Sequence, residues 1–142
     1  MQLGKLYALA EQENIPILSY PLPYTGSLSH MDGQGNTYVG MDISVQDNGA
    51  LELTHLAHEL GHCCTGSFYN IHAAHDTRLR HEHRADKWAI RQLITPEGLD
   101  EAVANGCTEI WQLAEYFGVT EGFIRKAVCW YVHGNLATEL YF

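Results

Sequence analysis

The segment His58-Glu59-Leu60-Gly61-His62 constrains this chain more than any other. It has the form HExxH, two histidines four residues apart with a glutamate beside the first. On a helix, residues four apart lie one turn apart on the same face, so both imidazoles can reach one cation. Zinc accepts neutral imidazole nitrogens in a tetrahedral arrangement. Glu59 lies next to that face and can approach a water without ligating the metal. The geometry works only if the segment is helical. Leu51, Leu53, Leu56, Ala57 and Leu60 predict such a helix near residues 50–67, apolar on more than one face as a central helix should be. Asp47 or Asn48 is its expected cap. A purely structural histidine pair is the competing reading of these five residues.

The rest of the chain reads as α+β. Leu3, Leu6, Tyr7, Leu9 and Ala10 recur at helical spacing and predict a helix over 2–13. Residues 15–20 are short, apolar and bounded by Pro16 and Pro21, which suits a strand. Residues 21–36 are rich in proline, glycine and serine and read as a loop or hairpin connection. The β-branched and aromatic run 36–43 reads as a second strand. After a loop over 68–77, a further helix is expected over 79–93. Thr95 followed by Pro96 opens a short helix that Gly106 breaks. Thr108 starts another, Gly118 stops it, and Thr120 caps a last helix towards Tyr131. The expectation is one domain over 1–142. A core over 1–94 holds a small early sheet, the active-site helix and a glutamate helix. A helical cluster over 95–142 follows.

A catalytic zinc site needs a third protein ligand and an open fourth position. Nineteen residues after His62 comes His81-Glu82-His83-Arg84-Ala85-Asp86-Lys87-Trp88-Ala89. Glu82 and Asp86 are again one helical turn apart. Glu82 can serve as the third ligand. Asp86 can accept the second ring N–H of a ligating histidine, His58 being the expected one, which fixes its tautomer. A solvated acidic face paired with Arg80 or Arg84 is the alternative. Ala85, Trp88, Ala89 and Ile90 argue instead for a packed helix, where unpaired acids are costly.

HELGH followed by Glu-x-x-Ala-Asp-x-Trp-Ala resembles the ImmA/IrrE family of metallopeptidases, a compact branch of the gluzincin zinc proteases. The order of elements is similar over nearly the whole chain, and the specific part is residues 54–90. The resemblance implies a compact zincin-like fold, His58, His62 and Glu82 as zinc ligands, and Glu59 as general base. It also implies a protein substrate, a phage or mobile-element repressor with a helix-turn-helix domain. Zinc would polarise the scissile carbonyl while Glu59 moves the proton of the attacking water to the leaving amine. Manganese or iron could fill the same ligands, since availability also selects a metal. The oxyanion needs a further donor, and Tyr69, His72, His75 and His83 are the candidates. His55, three residues before His58, reads as a hydrogen-bonded supporting histidine. By analogy with gluzincins, the strand before the active-site helix is expected to offer its edge to the substrate, and the loop 33–35 to lie over the cleft.

Composition narrows the partners. The chain has 142 residues, 9 histidines and a formal net charge of −9, with Lys and Arg totalling only 8. Seven of the histidines fall between His55 and His83. Residues 109–124 resemble helix-turn-helix, but the second helix offers only Arg125 and Lys126 for phosphate contacts. Two packed helices closing the domain is the better reading, and no direct nucleic-acid partner is expected. Trp111, Phe117, Phe123 and Trp130 then serve the core or a docking partner. The four cysteines form no CxxC and read as reduced thiols. Glu11 and Glu13 interrupt any signal-peptide core, and no apolar run approaches the ~18 residues of a membrane span. A cytoplasmic protein with no membrane partner is therefore expected. A catalytically weak or inactive zincin-fold module that sequesters its partner is the main alternative, and a DNA-binding regulator a lesser one. Glu59 favours the enzyme, because a binder has no physical need for a carboxylate beside the metal.

Overall fold

A computed structural model describes residues 2–70 and 72–142. The elements run α1 (Gln2–Gln12), β1 (Ile17–Ser19), β2 (Ser27–Met31), β3 (Thr37–Met41), α2 (Ile43–Gln46), α3 (Gly49–Thr65) and α4 (His75–Leu93). They continue with α5 (Pro96–Ala104), α6 (Ile110–Phe117), α7 (Glu121–His133) and a 3-10 turn at Thr138–Leu140. The architecture is α+β, with a three-stranded sheet near the N-terminus followed by helices.

Local chemistry sets most boundaries. Asn48, not Asp47, caps α3 by accepting from the Leu51 N–H, and Gly66 closes it in the left-handed region at φ 67°. Thr95 accepts from Gly98 N–H with Pro96 in the first turn of α5, and Thr120 accepts from Phe123 N–H at the start of α7. α6 begins later than its expected start at Thr108, because Glu109 and Gln112 form a capping box. α4 begins at His75, a turn before the expected start near residue 79. Its cap, Ala74, makes no side-chain hydrogen bond, so nothing in the sequence marks the boundary.

The sheet corrects one expectation. Its order is β1-β3-β2, with β1 parallel to β3 and β2 antiparallel to it. The strand directly before the helices, β3, is therefore central, not the edge. Val39 and Met41 on it are completely buried, as a strand paired on both sides and packed on a helix must be. The edges are β1 and β2, and β2 lies inside the stretch read as a connection. Its sequence, SLSHM, carries no continuous apolar signal. The hairpin makes it a strand: Asp32 Oδ1 accepts from the N–H groups of Gln34 and Asn36, both at 2.9 Å, and turns the chain back into β3.

One cluster of buried side chains runs from Leu6 to Leu136 and includes Leu56, Leu60, Ile90, Ile94 and Ile124. Residues before and after position 95 share it. α3 and α4 approach closely at Gly61, where a Cβ would stand 2.5 Å from the Ala85 carbonyl oxygen. Gly61 thus lets the two helices meet backbone to backbone, and this contact carries Glu82 up to the HExxH face. Phe123 is buried at 3% exposure, Phe117 and Trp130 are half-buried, and Trp111 is exposed at 53%. Among the described residues no helix is long and apolar enough to cross a membrane.

Candidate metal centre

His58 and His62 lie one turn apart on α3, and Glu82 reaches them from α4. The donor atoms of these three residues all lie within 4.8 Å of one another. Glu82 Oε2 stands 2.8 Å from His58 Nε2 and 3.2 Å from His62 Nε2, and the two Nε2 atoms are 3.2 Å apart.

The outer nitrogen of each ring is held. His58 Nδ1 donates to Asp86 Oδ1 at 2.8 Å, one turn beyond Glu82 on α4. His62 Nδ1 donates to the Ser67 carbonyl at 2.5 Å. That carbonyl reaches the ring because Gly66 turns the chain back immediately after α3. With Nδ1 of each ring donating outwards, both Nε2 atoms are directed at Glu82, as metal-ligating histidines are oriented.

The electrostatics call for positive charge at this point. Burial opposes a charge on His58, but hydrogen bonds to Asp86 and Glu82 outweigh it and hold its pKa up at about 10. Burial likewise works against an ionised Glu82, yet hydrogen bonds from His58, His62 and Tyr69 keep its carboxyl well below the usual range. Asp86 is held low against its own burial by His58 and by Lys126, whose Nζ is 3.1 Å from Oδ2. Two imidazole nitrogens and one carboxylate oxygen, each supported from behind, are a donor set of the kind that could hold a zinc ion. The residues present fit the metal.

An open cleft of about 880 Å³ exposes the centre, within the range of ligand-binding clefts. Glu59, His58, His62 and Glu82 line it. Ser27, Leu28 and Ser29 of β2 form one wall, and Thr120, Gly122, Phe123 and Lys126 of the C-terminal helices contribute another part. The helix-turn-helix-like segment is thus part of the cleft. Its two basic residues are already engaged, Lys126 with Asp86 and Arg125 with Glu121 at 3.7 Å.

The oxyanion candidates separate. Tyr69 lines the cleft, and its hydroxyl donates to Glu82 Oε1 at 2.6 Å. That bond, with partial burial, pushes its pKa up to about 12, so the phenol stays protonated and able to donate. His72 and His75 are exposed near the start of α4, and His83 is half-buried; none of the three lines the cleft. Residues 33–35 form the tip of the β2–β3 hairpin and do not line it either, contrary to expectation. A turn this short, tied down by Asp32, cannot reach across. His55 faces Ser27, whose hydroxyl lies 2.6 Å from its Nδ1. Burial lowers the His55 pKa and outweighs the opposing charge of Glu59, so its ring is neutral at physiological pH.

Sequence reasoning missed three participants: Ser27, Lys126 and the Ser67 carbonyl. Ser27 and Lys126 come from elements remote in sequence, and nothing local marks them. The Ser67 contact had a local signal, since Gly66 at the helix end predicts a left-handed turn that returns the next carbonyl towards the last turn. Comparison with protein-family models, with curated proteins and with solved structures gives no match.

Proposed function

We propose that the protein is a zinc-dependent endopeptidase that hydrolyses a peptide bond in a protein partner. The observation that carries this reading is the convergence of His58 Nε2, His62 Nε2 and Glu82 Oε2 within 4.8 Å, in a cleft that also presents Glu59. The resemblance to the ImmA/IrrE family supplies the partner class, a repressor with a helix-turn-helix domain. The four cysteines are all free, which suits a reducing cytoplasm.

Zinc bound by His58, His62 and Glu82 supplies Lewis-acid activation of the attacking water and of the peptide carbonyl. Glu59 is only 6% exposed, yet it lines the cleft and so can meet a water there. It takes the proton of the attacking water and returns it to the leaving amine. Of the oxyanion candidates only Tyr69 lines the cleft, and its one hydroxyl proton, held by Glu82 Oε1, turns to the developing oxyanion as it forms. The substrate backbone pairs with the outer edge of β2, whose residues 27–29 line the cleft.

The purified protein is expected to carry about one zinc per chain. Glu59→Gln should keep the metal and lose cleavage of a coexpressed helix-turn-helix repressor, read as fragments by mass spectrometry. Undiminished fragmentation in that variant refutes Glu59 as the base. Intact repressor with the wild-type, zinc-loaded protein refutes this substrate.

A further inference from the structure

The side chains of His55, Ser27 and Glu59 form a continuous hydrogen-bonded chain that ends on the carboxylate proposed as general base. Ser27 Oγ lies 2.7 Å from Glu59 Oε2 and 2.6 Å from His55 Nδ1. A serine hydroxyl carries one proton, and an ionised carboxylate only accepts. Ser27 must therefore donate to Glu59 Oε2 and accept from His55. His55 must in turn carry its proton on Nδ1. Direction along the whole chain follows from these proton counts.

The seat of the histidine is built separately. The His55 ring lies against Gly26, where φ is +79° and a Cβ would come within 3.0 Å of both His55 Cε1 and Val45 Cγ2. A side chain at position 26 would push the ring off Ser27. Gly26 thus supplies the space and Ser27 the acceptor, while His55 is delivered by α3 one turn before Glu59. Ser27 is 6% exposed and Glu59 equally so, which keeps competing water from the link.

We propose that His55 and Ser27 are positioning residues for Glu59: their hydrogen bonds commit Oε2 and leave Oε1 to receive the proton of the attacking water. This inference rests on the peptidase reading above for its catalytic consequence, but not for the hydrogen-bond direction. Ser27 also opens β2, the strand proposed to pair with substrate. The residue that orients the base therefore sits in the wall that receives the peptide.

Long-range ¹H–¹⁵N NMR of histidine-labelled protein, with and without zinc, reads the tautomer directly. His55 is expected to be protonated on Nδ1, and a proton on Nε2 alone overturns the proposal. Activity is read on zinc-loaded protein with a library of internally quenched peptides. Ser27→Ala should lower kcat about 10- to 100-fold, the effect of a lost hydrogen bond to a charged group, with KM little changed and zinc content equal to wild type. His55→Leu should match it. His55→Asn, whose amide N–H stands near the place of Nδ1, should recover most of the rate. Wild-type kcat in Ser27→Ala, or equal losses in the leucine and asparagine variants, overturns the proposal. If Ser27→Ala does not fold, the two His55 variants decide the matter alone. A wild type that cleaves no peptide yet keeps the Nδ1 proton overturns the peptidase reading and supports the chain of hydrogen bonds itself.

Discussion

Each imidazole of the HExxH pair is held by its outer nitrogen, and the two holders differ in kind. His62 donates to a backbone carbonyl, which no side-chain substitution removes. His58 donates to Asp86, which is itself anchored by Lys126. The His58 side is therefore the one open to mutation. Asp86→Asn keeps the shape but removes the charge that supports the ring. It should weaken zinc binding by about 10- to 100-fold, as loss of such supporting groups does, measured by competition with a chromogenic chelator. The pairing of His58 with His62 and of Glu82 with Asp86 on common helix faces could be read from the sequence because each pair obeys one helical turn. Ser27 could not, because its role depends on a strand meeting a helix 32 residues away.

At the scale of elements, the close approach of α3 and α4 decides whether Glu82 reaches the histidines. Gly61→Ala should gain about 1 kcal/mol of helix propensity. It should lose more, since its Cβ would meet the Ala85 carbonyl oxygen at 2.5 Å, and overpacking of this kind costs about 1–3 kcal/mol. Net destabilisation in urea melts with reduced zinc affinity is the expected result, because relief of the clash moves Glu82 away. A second contact ties α1 to α3: the Tyr7 hydroxyl donates to Glu52 at 2.5 Å. Burial first, and then this hydrogen bond, push the Tyr7 pKa from 10.0 up to about 12. A raised folded pKa favours the protonated form, so the contribution is fully present below pH 10 and is lost as pH rises towards 12. The melting temperature of wild type should fall more steeply between pH 10 and 12 than that of Tyr7→Phe. Helix boundaries with capping side chains, such as Thr95 and Thr120, were legible in advance. The start of α4 was not, because Ala74 offers no cap.

Across the whole molecule, the cleft is assembled from three remote parts: the edge strand β2, the HExxH face of α3 with α4 behind it, and the start of α7. If the proposed metal ion binds between α3 and α4, it must stabilise the folded chain by mass action. Zinc at about 100-fold above its Kd adds ~2.7 kcal/mol. This corresponds to a rise in melting temperature on the order of 10 °C for a chain of this size. A chelator should reverse the rise, and Glu82→Ala should show little of it. The helical periods, the ligand spacing and the general α+β order followed from sequence alone, because each rests on contacts within a turn or two of one helix. Only the tertiary structure decided that β3 is central and β2 an edge, since SLSHM becomes a strand through its partner. Only it showed that the C-terminal helices wall the cleft and that Lys126 holds Asp86. The same holds for the chain from His55 through Ser27 to Glu59. These features depend on groups brought together from distant parts of the chain by packing around Leu56, Leu60 and Ile90, and no local pattern of residues encodes such a meeting.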